Sequence, residues 1–153
     1  MKILLILFTV SSILFSNVNQ KVVLITGTAL GIGKSTALHL IEKGHIVYGG
    51  DILIEENLYL NESGGFALEM DVTNQGHVDA AIKKIINEQG RIDVLVNNAG
   101  LGVYGAIEDV SMEDAIYQYD VNLFGVARAT KAVLPYMRAV SYTHLRAHET
   151  DSY

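Results

Sequence analysis

Three glycines, Gly27, Gly31 and Gly33, lie in the segment TGTALGIG between an apolar run and a stretch with helical spacing. Glycine in such a turn can adopt a positive φ angle, and its missing side chain lets backbone N–H groups approach a phosphate. The first turn of the following helix adds partial positive charge. The spacing therefore predicts that these glycines, with Leu30 and Ile32 between them, bind the pyrophosphate of a dinucleotide.

A loop for triphosphates is the competing interpretation, because Gly33, Lys34 and Ser35 fit the end of a P-loop. That loop requires a glycine six residues before the lysine, where Thr28 stands, and Gly27 comes one residue too early. A loop of different length would not surround a triphosphate in the same way. The segment therefore favours a dinucleotide.

An acidic residue follows the second apolar run: Asp51 stands eighteen residues after Gly33. A carboxylate at this distance can accept hydrogen bonds from the adenosine ribose hydroxyls and would repel a 2′-phosphate. No Arg or Lys follows at positions 52–54. The sequence therefore favours NAD over NADP, with an ordinary turn aspartate as the alternative interpretation of Asp51.

A second motif, NNAG at residues 97–100, follows a later apolar run. With T-G-x-x-x-G-x-G before it, the chain resembles the classical short-chain dehydrogenase/reductase family over about residues 21–139, the cofactor-binding first half of such an enzyme. The resemblance implies an α/β fold, a Rossmann-type doubly wound parallel sheet. It also implies an NAD(P)-dependent oxidoreductase that transfers hydride between nicotinamide and a small alcohol or carbonyl substrate, and a homo-oligomeric complete enzyme.

The resemblance assigns roles to further residues. Asp71 and Val72 would contact the adenine ring, and Asn98, Ala99 and Gly100 would line the cofactor cleft. Asn122 matches a helix asparagine whose backbone carbonyl holds a water in the proton relay to the catalytic lysine. Taken alone, Asp71 and Val72 are only a strand end, and Asn122 could be a solvent-facing asparagine.

The family's chemistry also requires a Ser and a Tyr-x-x-x-Lys motif. No tyrosine of this chain has a lysine four residues later. We therefore expect the 153 residues to lack the catalytic centre and the protein to be truncated after the long helix that follows the fourth strand. A non-catalytic dinucleotide-binding fragment or sensor domain is the alternative, since a fold does not fix a function.

Alternating β-type runs and amphipathic stretches predict the elements that position these residues. Strands are expected over 22–26, 46–50, 66–71 and 94–97, and helices over 33–43 and 78–89, with Gly44 and Gly90 just past their ends. Thr73, Asn74 and Gln75 supply cap-type residues for the second of these helices. A final long helix should run from about residue 111 or 112 towards 137, limited or kinked by Pro135.

Composition narrows the function classes. A net charge of −6 without a run of Lys or Arg argues against nucleic acid or anionic membranes as partners. The absence of cysteine excludes disulfides, thiolate nucleophiles and thiolate metal sites. With 153 residues, half of them hydrophobic, the chain suits one domain.

Both ends differ from the family pattern. Residues 1–20 form a hydrophobic, signal-like or anchor-like extension, with a misassigned upstream start or an extra buried helix as alternatives. The protein is expected to be cytoplasmic if this extension is spurious, and secreted or membrane-associated if it is a signal or an anchor. Residues 140–153 look like the translation of a sequencing adapter. His144 and His148 within them are spaced like a zinc pair, but Leu145 stands where a metalloprotease has Glu, so we expect no metal site.

Overall fold

The computed structural model describes residues 20–139. Four parallel strands form one sheet in the order β3-β2-β1-β4, with β1 over Val22–Thr26, β2 over Ile46–Asp51, β3 over Phe66–Glu69 and β4 over Val94–Val96. This confirms the Rossmann-type parallel sheet. β2 includes Asp51 and β3 stops two residues earlier than predicted, so Asp71 lies in a loop.

Helices connect the strands on both faces of the sheet. Two of them, α1 and α4, were predicted, whereas the four-residue helices α2 and α3 were not. The predicted final helix is divided by a π-helical segment into α5 and α6. The bounds are α1 Gly31–Glu42, α2 Ile54–Asn57, α3 Tyr59–Glu62, α4 Gln75–Gln89, α5 Met112–Tyr119, the π segment Asp120–Gly125 and α6 Val126–Ala139.

The sheet is buried on both faces, as parallel sheets are. Val22 and Leu24 of β1 point into one core cluster with the apolar stripe of α4 and part of α6. Val23 and Ile25 point into the other, with Ala37 of α1. β1 is therefore buried at every position, because successive side chains of a strand point to opposite faces.

The capping predictions for α4 are confirmed. Asn74 Oδ1 accepts hydrogen bonds from the N–H groups of Gly76 at 2.8 Å and His77 at 3.3 Å. Gly90 has φ +73°, and its N–H donates to Ile86 O at 2.9 Å. These contacts satisfy backbone groups that a helix leaves unpaired at its ends, so the local sequence sets both limits of α4.

Pro135 does not end the last helix, because α6 continues through it to Ala139. The proline removes one N–H donor from the helix, but it lies on the exposed side, where the carbonyl that loses its partner can bond to water. Residues 1–19 of the N-terminal extension, and the segment 140–153, lie outside the described residues. No helix within residues 20–139 is long and apolar enough to cross a membrane.

Candidate dinucleotide-binding groove

A groove runs along the carboxyl ends of β1, β2 and β4, where open parallel sheets bind their ligands. It consists of two adjoining recesses that share Gly27, Asp51, Ala99 and Gly100. Ten of the twelve residues predicted for the site line it, and Gly33 and Asn122 do not. The ten are Gly27, Leu30, Gly31, Ile32, Asp51, Asp71, Val72, Asn98, Ala99 and Gly100.

Gly27 and Gly31 both have positive φ angles, but their surroundings differ. Gly27 has φ +74°, and a Cβ there would lie 2.7 Å from the Cα of Ala99. Gly31 has φ +59°, but a Cβ there would meet no atom within 4 Å. Gly27 therefore lets two strand ends approach each other, whereas the open space at Gly31 belongs to the groove.

Gly33 lies behind the groove rather than in it. It is buried, and a Cβ would collide with Gly27 O and with the Asn98 side-chain amide. Its small size lets α1 pack against the end of β1. The structure thus gives Gly33 a packing position, and the phosphate contact expected from the sequence stays a prediction.

The first turn of α1 faces the groove. α1 begins at Gly31, and Leu30 at its N-cap makes no side-chain hydrogen bond to the helix. Leu30, Gly31 and Ile32 line the groove, and the side chains of Leu30 and Ile32 are exposed. Helix N–H groups without a side-chain cap, at the positive end of the helix dipole, are suited to an anionic group.

Asp51 is fixed at the end of β2 by two backbone amides. Its Oδ2 accepts from Ala29 N at 2.8 Å, and its Oδ1 accepts from Leu53 N at 2.9 Å. The second contact is that of a turn aspartate, while the first joins Asp51 to the glycine turn. Each carboxylate oxygen can accept a further hydrogen bond, so Asp51 can still bind a hydroxyl in the groove.

Asp71 and Val72 form the opposite wall. Asp71 Oδ1 accepts from the backbone N–H of Thr73 at 2.8 Å and from its hydroxyl at 2.7 Å, which closes a tight turn. Val72 is 7% exposed, and Arg128 of α6 donates to its carbonyl at 3.3 Å. The same Arg128 pairs with Asp120 of the π segment at 2.7 Å, so the wall is connected to the last helix.

Residues 98–100, which we call the groove floor, are bound to the end of β1. The Asn98 side-chain amide donates to Thr26 O at 3.0 Å and to Gly27 O at 2.8 Å. In return, Thr26 Oγ1 accepts from the backbone N–H groups of Asn98 at 3.1 Å and Ala99 at 3.0 Å. Sequence reasoning missed Thr26, although its place as a polar residue at the end of an apolar strand was a signal.

Asn122 lies in the π segment, and its side chain binds the loop after the groove floor. Its Oδ1 accepts from Leu101 N at 2.9 Å, and its Nδ2 donates to Leu101 O at 2.7 Å. Both polar ends of the side chain are thereby used to position Leu101, which lines the groove. The relay role implied by the resemblance concerns the backbone carbonyl of Asn122 and stays a prediction.

A buried polar group beneath the glycine turn was also missed. Thr28 and Asn57 are fully buried and are joined by a hydrogen bond of 2.8 Å between Thr28 Oγ1 and Asn57 Oδ1. Tyr59 donates its hydroxyl to Thr28 O at 2.9 Å. Burial and, secondly, the negative charge of Asp51 raise the pKa of Tyr59, so its hydroxyl keeps its proton to a higher pH than that of an exposed tyrosine.

The geometry of the groove agrees with the sequence match. A family profile described as short chain dehydrogenase matches residues 21–144. The chain belongs to the short-chain dehydrogenase family. Its fold is the NAD(P)-binding Rossmann fold of these oxidoreductases.

Named short-chain dehydrogenases give the extent of the likeness. The chain is 48% identical over 118 residues to the 3-ketodihydrosphingosine reductase of Bacteroides thetaiotaomicron, covering 77% of this chain and 42% of that protein. A 3-ketoacyl-(acyl-carrier-protein) reductase from Brucella melitensis, complexed with NADH, is 31% identical with a TM-score of 0.75, over 78% of this chain and 50% of that one. An alcohol dehydrogenase from Thermococcus sibiricus, complexed with 5-hydroxy-NADP, is 31% identical with a TM-score of 0.75, over 79% of this chain and 55% of that one. The chain spans about half the length of the curated relatives it matches.

Proposed function

We propose that the chain is the cofactor-binding half of an NAD-dependent oxidoreductase. The observation that carries this proposal is the charge of the groove: Asp51 and Asp71 line it, and no Lys or Arg is among the described residues that do. A carboxylate beside the adenosine ribose accepts hydrogen bonds from its hydroxyls and repels a 2′-phosphate. The arrangement supports NAD over NADP.

Within the proposal, each part of the groove binds one part of NAD. The N-terminal turn of α1, with Gly27 and Gly31, holds the pyrophosphate, and Asp51 holds the adenosine ribose. Asp71 and Val72 border the adenine. The groove floor then carries the dinucleotide towards its nicotinamide end, where the redox chemistry belongs to the cofactor and the protein supplies orientation.

For the complete protein we propose hydride transfer between nicotinamide and a small alcohol or carbonyl compound. The named relatives, two ketone reductases and an alcohol dehydrogenase, support this class. The acid/base tyrosine and its lysine would come from sequence beyond residue 139, because no tyrosine here has a lysine four residues later. We propose that residues 140–153 are not native, and that the 153-residue chain binds the dinucleotide without turnover.

Binding titrations test the cofactor assignment. NADH and NADPH are titrated into the 153-residue chain, with binding followed by nicotinamide fluorescence, and NADH is expected to bind at least tenfold more tightly. Asp51→Asn removes the negative charge and is expected to reduce that preference, whereas Asp109→Asn, at an exposed loop position, leaves it unchanged. Equal affinity for both cofactors in the unsubstituted chain would contradict the assignment to NAD.

The gene itself tests the extent of the protein. Amplifying and resequencing the source DNA across the junction between Ala139 and Val140 distinguishes the two candidates. A reading frame that continues with a Ser and a Tyr-x-x-x-Lys supports the enzyme. A genomic sequence that ends at Tyr153 would leave a non-catalytic dinucleotide-binding chain.

A further inference from the structure

The helices α2 and α3 support the glycine turn from inside the protein. Thr28, in the middle of this turn, has no exposed surface, and neither has Asn57 at the end of α2. Thr28 Oγ1 donates to Asn57 Oδ1 at 2.8 Å, and Asn57 Nδ2 donates to the carbonyl of Gly49 in β2 at 2.8 Å. The side chain of Asn57 thus joins the turn to the neighbouring strand.

An amide side chain matches this pair of contacts. A hydroxyl that donates needs an acceptor, and the carbonyl of Gly49 needs a donor. The amide of Asn offers both on one small planar group, while ionised Asp lacks the donor and Leu lacks both. Since a buried polar group without a partner is costly, Asn57 is chemically matched to Thr28 and Gly49.

Tyr59 fixes Thr28 from a second direction. Its hydroxyl donates to the backbone carbonyl of Thr28 at 2.9 Å. The Lys34 ammonium lies 4.2 Å from the centroid of the Tyr59 ring, which connects α3 to α1 by a cation–π contact. The hydroxyl and the carbonyl of Thr28 are therefore both held by this short helical segment.

The packing leaves Thr28 no room to move inwards. A Cβ built on Gly49 would collide with the Thr28 hydroxyl and with the side chain of Leu60, so this part of the core is filled. The two neighbours of Thr28 in the chain, Gly27 and Ala29, line the groove. Any shift of Thr28 would therefore displace the backbone that faces the ligand.

We propose that Asn57 and Tyr59 are positioning residues for the dinucleotide, which act through Thr28 and set the shape of the glycine turn. The proposal rests on dinucleotide binding by the groove. Neither residue lines the groove, so their effect on affinity is indirect. Loss of either contact lets the turn relax, and the ligand must then order it again on binding.

Tyr59→Phe is the main test, because it removes one oxygen atom and keeps the ring beneath Lys34. Tyr48→Phe is the control: it also removes one tyrosine hydroxyl, which is hydrogen-bonded to Glu88 and Gln89, but Tyr48 lies in the other core cluster from the one that Tyr59 packs against. Affinity for NADH, thermal midpoint and hydrogen exchange of the amides at residues 27–31 are measured for the full 153-residue chain. Asn57→Leu is measured in the same way.

We expect Tyr59→Phe to weaken NADH binding about fivefold to tenfold and to speed exchange in the turn, while Tyr48→Phe changes neither. Asn57→Leu should act in the same direction and more strongly. Unchanged affinity and unchanged exchange in Tyr59→Phe would overturn the positioning role, even if Asn57→Leu does not fold. An unsubstituted chain that binds neither NADH nor NADPH would instead overturn the proposed function, and this inference with it.

Discussion

Replacement of Thr26 by Val isolates the hydrogen bonds that hold the groove floor to β1. The substitution keeps the shape of the side chain and removes a hydroxyl that accepts from Asn98 N at 3.1 Å and Ala99 N at 3.0 Å, at a residue that is 2% exposed. A buried amide left without an acceptor costs about 1–3 kcal/mol. Two amides lose their acceptor here, but water in the groove can reach them in part, so we expect a loss of about 2–3 kcal/mol in the free energy of unfolding.

Urea and thermal unfolding measure this loss directly. For a domain of this size, a change of about 2–3 kcal/mol lowers the thermal midpoint by about 7–11 °C. NADH affinity should fall as well, because residues 98–100 lose the contact that sets their position against the glycine turn. A fall in NADH affinity would indicate that the groove floor is displaced, whereas lower stability with unchanged affinity would indicate a general loss of packing.

Thr130→Val is the matched control. The Thr130 hydroxyl accepts from the Asn97 side-chain amide at 3.2 Å on the exposed surface, so water can replace it and the expected change is below about 0.5 kcal/mol. If Thr26→Val unfolds at the same urea concentration as Thr130→Val and binds NADH equally well, the hydroxyl does not hold the groove floor and the reasoning fails.

Three further experiments test other parts of the structure. Gly31→Ala should lose only modest stability, because its strain comes from φ +59° alone, but the added methyl group would enter the groove and weaken NADH binding. Gly33→Ala should unfold at a lower temperature, because its Cβ would collide with Gly27 O. Calorimetry and NADH titration separate the two, and equal effects on both measurements would contradict the assignment. Asn122→Ala should cost about 1 kcal/mol and speed hydrogen exchange at Leu101 N, with unchanged exchange as the contrary result. Burial, and then the hydrogen bond to Glu88, raise the pKa of Tyr48 to about 12, so stability should fall as the pH rises from 10 towards 12, and Tyr48→Phe should reduce that slope in urea titrations. An unchanged slope would show that Tyr48 does not titrate in this range.

Regular elements of ordinary length could be predicted because several local signals agree. In α4, the buried residues Val78, Ala81, Ile82 and Ile85 recur at helical spacing, Asn74 caps one end and Gly90 ends the other. β1 is an unbroken apolar run of the kind that a parallel sheet buries on both faces. Each signal is contained in the residues of the element itself, so no knowledge of the partner elements was needed.

The elements that escaped prediction depend on contacts between distant segments. α2 and α3 have four residues each, too few for a periodic pattern, and no side chain caps either of them. The π segment is held by Arg128, which donates hydrogen bonds to Asp120 within the segment and to the carbonyl of Val72 in the groove wall. Such an interruption is determined by tertiary partners that the local sequence does not contain.

Dependence on distant contacts also explains why the glycine motif predicted which residues lie together but not the structural role of each glycine. In the glycine turn, residues of one type differ in what surrounds them: Gly27 approaches Ala99, Gly31 faces open space and Gly33 packs against Gly27. Asn57, the buried partner of the turn, belongs to no local sequence pattern. Its structural role depends on a hydrogen bond to Thr28, twenty-nine residues before it in the chain. Residues that line the groove can therefore be found by motif, whereas residues that hold the turn from inside the protein must be found by their hydrogen bonds.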